Sequence, residues 1–134
     1  MQGRATFKLA GGTRAPGEAR DILSAPLTQT VEQGLREHVL VLVSELVTNS
    51  VLHGGASHED EIELSLAWSP DRLRIEVLDY GPGFGASLAD PDRQGGWGLQ
   101  LVEKMADRWG VTRTSATIVW FEMMLANSDA RSAA

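Results

Sequence analysis

Cysteine is absent from the 134 residues, which removes disulfides, thiolate metal ligands and a thiol nucleophile together. Such a chain suits a reducing compartment, and the cytoplasm is the expected location. Long apolar runs are missing too. The longest is Val39 to Val43, far below the roughly 20 residues that a membrane-crossing helix needs, and the N-terminus has no charged-then-apolar signal pattern. No membrane partner is expected. Lysine is scarce: of 12 basic residues only Lys8 and Lys104 are lysines, and no G-x-x-x-x-G-K-[ST] loop is present to hold phosphates. Positive charge is also short overall, with a formal net charge of -6 and a pI near 5.0. The arginines are scattered, so the clustered positive field of a nucleic-acid surface is lacking. Internal repeats are absent.

What is present is a domain-sized chain with 43% hydrophobic residues, enough for one core. A single domain over residues 1–126 is expected, followed by a small, polar, frayed tail over 127–134. Arg4 to Ala10 reads as an edge strand closed by Gly11 and Gly12. Pro16 suits a first helical turn, and Glu18 to Leu27 a short helix that Pro26 ends. A long helix follows from Thr28 to Leu52, capped by Thr28 or Thr30 and stopped by Gly54 and Gly55. Its VLVLV centre could pass for a buried strand, but the apolar face continues for several turns beyond it.

Ile62, Leu64, Leu66 and Trp68 then alternate with polar or small residues, as a half-buried strand does. Ser69 to Asp71 form a hairpin turn. In the next strand Leu73, Ile75 and Val77 share one face, and parity puts Asp79 on it as well. Arg72, Arg74 and Glu76 face the other way, as a solvated sheet face or a dimer or partner contact. YGPGFG from Tyr80 to Gly85 breaks this strand. A helix is expected from Gly96 to about Arg108, with Leu99, Val102, Ala106 and Trp109 on one stripe, then a hairpin of Val111 to Arg113 with Thr117 to Leu125. Trp68, Trp109 and Trp120 are expected in the core. The fold class is α+β: a two-layer sandwich, its mixed and mostly antiparallel sheet covered by helices on one face.

Three motifs could carry chemistry. Glu45 and Asn49 stand one helical turn apart at the edge between the apolar face (Leu35, Val39, Leu42, Val43, Leu46, Val47) and the polar one (Glu37, Ser44, Thr48). A helical Glu and Asn can equally be solvated surface residues. Asp79, Gly81 and Gly83 make D-x-G-x-G at a strand end. Two glycines there can be an ordinary turn, but an inward acid needs a partner, and an exocyclic purine amine would serve. Gly95-Gly96-Trp97-Gly98-Leu99 leads into a helix whose free N–H groups and dipole suit an anion, although a plain loop entering a helix has the same composition. No dinucleotide G-x-G-x-x-G lies in a strand-to-helix turn.

Taken together, SELVTNSVLHG (Ser44 to Gly54), LDYGPGFG (Leu78 to Gly85) and GGWGLQLVEKMADRWGV (Gly95 to Val111) resemble the N box and two glycine boxes of the GHKL, or Bergerat-fold, ATP-binding family. That family includes histidine kinase catalytic domains, gyrase-type ATPases and anti-sigma-factor serine kinases, and ADRWGV followed by TIVWFEM looks like the last branch. The resemblance implies ATP and Mg²⁺ as cofactors. It gives Asn49 the metal, Asp79 the adenine amine, Gly81 and Gly83 the close approach to the base, and residues 86–95 a lid. Gly96, Gly98 and Leu99 would meet the phosphates, Thr117 would support the adenine side, and Glu45 would be the catalytic base.

The implied function is a serine/threonine protein kinase that binds a sigma factor and phosphorylates an anti-sigma antagonist, with a homodimer possible. A nucleotide-dependent binding module without phosphotransfer, or a simple ATPase, are the alternatives. Three features depart from the family pattern. The lid is short, with Arg93 its one cation. Leu52 stands where histidine kinases often carry lysine, and His38 lies within the core helix, so it is no phospho-acceptor. His53 could reach the phosphates or stabilise the helix C-terminus, and His58 is expected to be exposed.

Overall fold

The structure, a computed structural model, describes residues 2–52, 60–80 and 96–125. The elements run β1 (Gly3–Ala10), α1 (Ala15–Thr28), α2 (Gln33–Leu52), β2 (Glu61–Ser69), β3 (Arg72–Asp79), α3 (Gly96–Met105), β4 (Arg108–Arg113) and β5 (Thr117–Met124). The five strands form one sheet in the order β1-β2-β3-β5-β4, and every described pairing is antiparallel. The helices cover one face, so the expected α+β two-layer sandwich is the architecture found. The expected tail over 127–134, and residues 53–59 and 81–95, lie outside the described residues.

Spacing explains the helix layer. In α1, Ala15, Ala19, Leu23 and Leu27 are fully buried at four-residue intervals, which stacks them on one helical face. In α2, Val39, Leu42, Val43, Leu46 and Val47 are buried and Leu35 packs beside them, as the wheel requires. From the sheet Ile62, Leu64, Leu66, Leu73, Ile75 and Val77 complete the core. Each such side chain contributes about 1.5–3 kcal/mol on leaving water.

Four local expectations are corrected. Pro26 does not end α1: it sits in the last turn, where only one helical N–H is lost, and the helix runs on to Thr28. Thr28 and Thr30 are not caps of α2. Their hydroxyls donate to the carbonyls of Ser24 and Pro26, both at 2.7 Å, closing α1 instead, while the Glu32 carbonyl takes the first bond of α2 from Arg36 N–H at 2.8 Å. α3 stops at Met105 rather than near Arg108, because Asp107 N–H donates to the Glu122 carbonyl at 3.0 Å and starts strand pairing there. Trp109 therefore lies in β4 opposite Phe121, and β4 begins three residues earlier than the pattern suggested.

The fourth correction concerns Trp120. Thr117, Val119, Phe121 and Met123 face the core, so Trp120 projects from the opposite side, where the Arg74 guanidinium lies 4.1 Å from its ring centroid. Arg74 also donates to Glu76 at 2.8 Å and Glu122 at 2.9 Å, and Arg72 and Arg108 approach Glu122 at 4.0 and 3.6 Å. Burial alone would lower the pKa of Arg74, but its hydrogen bonds to the two glutamates raise it above the ordinary arginine value. A raised cation contributes stability until pH climbs through its folded pKa, above any working pH. The outer sheet face is thus tied together by arginines and glutamates, with Trp68 and Trp109 packed on the core side.

Candidate functional site

Near its C-terminal end α2 changes from packing to polar chemistry. Thr48 donates to the Ser44 carbonyl at 2.7 Å and Ser44 to the Val41 carbonyl at 2.9 Å, so both hydroxyls are used within the helix. Asn49 and Ser50 differ. They are 4% and 1% exposed, yet Asn49 Nδ2 and Ser50 Oγ have no hydrogen-bond partner among the described residues. An unmet buried donor costs about 1–3 kcal/mol, and native structures hold few of them. Glu45, one turn before Asn49, is half-buried. His38 is exposed on the same helix, and Leu52 is exposed at its end.

The sheet supplies a second set of polar groups. Register places Leu9, Ile62, Asp79, Thr117 and Arg113 in one row across all five strands. Directly opposed residues in an antiparallel sheet share a face, and here that face is the helix side. Asp79 and Thr117 are 1% and 3% exposed, so the inward parity expected of both is found, and they are nearest neighbours on β3 and β5. A buried acid beside a buried hydroxyl at a strand end can take up a donor and orient it.

α3 begins at Gly96, so Gly96, Trp97 and Gly98 form its first turn and Leu99 follows. The backbone N–H groups of such a turn have no acceptor in the helix. α2 packs against both α3 and β3. Gly81, Gly83, the 86–95 segment, His53, His58 and Arg93 lie outside the described residues. No group of three or more His, Cys, Asp or Glu able to hold a metal occurs among the described residues. A magnesium ion carried on phosphates requires no such cage, since it keeps several waters and takes few protein ligands.

The family model for the histidine kinase-like ATPase domain matches residues 13–123. The chain belongs to this family. Among solved structures, the crystal structure of the RsbU and RsbW domains of Rv1364c from Mycobacterium tuberculosis is similar, with a TM-score of 0.71 and 20% identity over 92% of this chain. This chain spans 32% of that one; at such identity the likeness is one of fold. No curated protein matches. ATP is the ligand that a histidine kinase-like ATPase domain implies, and no described helix is long and apolar enough to cross a membrane.

The polar groups fit that ligand: a carboxylate to accept from an exocyclic amine, hydroxyl and amide donors for its acceptors, and a helix start for its anionic end. Sequence reasoning did not single out Ser50, which is buried in the last turn of α2; its wheel position near Val39, Val43 and Leu46 was the available signal.

Proposed function

We propose that this domain, residues 1–126, is an ATP- and Mg²⁺-dependent serine/threonine protein kinase resembling anti-sigma factors. It binds a sigma factor and transfers the ATP γ-phosphate to a Ser or Thr of an antagonist protein in the cytoplasm. The observation that carries the nucleotide part is the buried Asn49 Nδ2, which has no hydrogen-bond partner among the described residues, on the helix that packs against β3, where Asp79 and Thr117 stand side by side. In this reading Asp79 accepts a hydrogen bond from the adenine amine and Thr117 supports it. Gly81 and Gly83 let the backbone close on the base, and the first-turn N–H groups of Gly96, Gly98 and Leu99 meet the phosphates. Asn49 would hold Mg²⁺ through its carbonyl oxygen, and the ion would neutralise charge developing on the transferred group.

Glu45 is the base. Its carboxylate takes or orients the proton of the antagonist hydroxyl as the oxygen bonds to the γ-phosphorus and the bond to the β-phosphate oxygen breaks, leaving ADP and a phosphorylated side chain. With no lysine at Leu52, the chain itself supplies little charge to the transition state, and slow turnover follows.

Incubation with labelled Mg-ATP and a cognate antagonist tests the assignment. Glu45→Gln is expected to reduce transfer by about 10²–10⁴-fold, the usual share of a general base, with ATP affinity retained. Transfer at the wild-type rate would remove Glu45 from the chemistry, and ATP binding with no transfer by either protein would favour a nucleotide-dependent binding module.

A further inference from the structure

Among the described residues the large apolar side chains left exposed are Val41, Leu52, Tyr80 and Met124, and two of these four lie on α2. Val41 is 43% exposed and Leu52 63%. A β-branched residue gains little from helix propensity, and at this exposure it gains little from packing, so neither local structure nor the core accounts for Val41. At about 100° per residue Val41 and Leu52 fall about 40° and 20° round from Glu45, both on the same side of it. The three share the outward stripe of the helix.

The rest of that stripe suits contact with another chain. Ser44 and Thr48 donate their hydroxyls to the Val41 and Ser44 carbonyls, so covering them strands no donor. The acidic groups are Glu37 and Glu45, while Arg36, the single arginine of a helix without lysine, lies about 180° round from Glu45. Apolar and acidic, the stripe is complementary to a neutral or basic segment and repels an acidic one. Asn49 lies about 40° from Glu45 on the other side, toward the buried face. Glu45 thus stands between a side turned to the nucleotide groups and a side turned outward, as a base acting between two substrates requires. A hydroxyl due for phosphorylation has to come within hydrogen-bond reach of that carboxylate, so the chain that carries it lies over Val41 and Leu52.

We infer that the outward stripe of α2 is the docking strip for the phospho-acceptor protein, and that Val41 and Leu52 select a Ser or Thr set in a neutral or basic segment with apolar side chains on both sides of it. The inference rests on the kinase reading proposed above. Spacing gives the pattern: at about 1.5 Å per residue Val41 stands about 6 Å before Glu45 and Leu52 about 10 Å beyond it. An extended acceptor segment rises about 3.3 Å per residue, so the two side chains meet acceptor residues about two and about three positions from the hydroxyl, on opposite sides.

The test is phosphate transfer from labelled Mg-ATP to the cognate antagonist protein by Val41→Ser and Leu52→Ser, with Met124→Ser, 50% exposed on β5, as the control. Each α2 variant is expected to raise KM for the antagonist about fivefold, the loss of part of one apolar side chain's burial, with kcat, ATP affinity and melting temperature unchanged. Met124→Ser should behave as the wild type, and mass spectrometry should find the label on a Ser or Thr with apolar neighbours within about three residues on both sides. Unchanged KM in both α2 variants overturns the inference, as does an equal rise in Met124→Ser or a labelled residue in an acidic segment. A fall in ATP affinity would give the stripe to the nucleotide and a lower melting temperature would give it to the fold; either overturns the inference. So does a wild-type dimer in sedimentation that the α2 variants abolish without a change in KM, since the occupant is then a second copy. If the wild-type protein binds Mg-ATP and labels no antagonist, the kinase reading fails and takes this inference with it, a result told apart from the others by the silence of the wild type.

Discussion

Asp79 shows how one side chain can define a site. It closes the inward row of β3 after Leu73, Ile75 and Val77, and it is as buried as they are, so a carboxylate occupies a place that packing alone would give to valine or isoleucine. Burying such a group costs several kcal/mol unless it is hydrogen-bonded. If its ligand is the adenine amine, Asp79→Asn replaces a charged acceptor with a neutral one and should weaken ATP by about 1.5–3 kcal/mol, roughly 10- to 150-fold. Titration calorimetry of both proteins decides it, and equal affinities would move the base elsewhere. Asp79 was legible in sequence because strand parity is rigid: a period of two allows only two faces. The burial of Ser50 was not, because helix angle accumulates over several turns.

The elements themselves were read best where periodicity was long. The α2 face was correct over several turns, and the β2–β3 hairpin was right to the turn, where Ser69 Oγ donates to Asp71 Oδ1 at 2.8 Å. Boundaries set by tertiary contacts were read less well. Nothing local distinguishes Arg108 as the start of a strand; the pairing with Glu122 across the sheet does so. The same pairing fixes the need for Gly110. It sits opposite Trp120, and a Cβ there would lie 2.8 Å from a ring carbon, too close for an indole that is already held over Arg74. Gly110→Ala should therefore destabilise the protein by about 1–3 kcal/mol, the usual effect of overpacking. A fall in the urea midpoint with an unchanged m-value would show it, and a midpoint equal to the wild type would mean that β4 moves aside freely.

The two layers of the protein meet through an apolar core, and the polar groups proposed to hold the nucleotide are divided between them: Asn49 and the first turn of α3 in the helix layer, Asp79 and Thr117 in the sheet. A ligand that contacts both layers cannot stay bound when either unfolds, so its binding energy should appear as stability of the whole domain. At a free Mg-ATP concentration of 100 times Kd, linkage gives about 2.7 kcal/mol. For a domain of this size 1 kcal/mol moves Tm by about 3–5 °C, so the transition should rise by roughly 8–14 °C as one cooperative step. With Asp79→Asn at the same ATP concentration, the affinity loss argued above leaves only about 0.3–1.4 kcal/mol, and the rise should shrink to roughly 1–7 °C. Calorimetric scans of both proteins with and without Mg-ATP measure this directly. Equal shifts would show that the ligand gains nothing from the sheet, and a split transition would show that it holds one layer only.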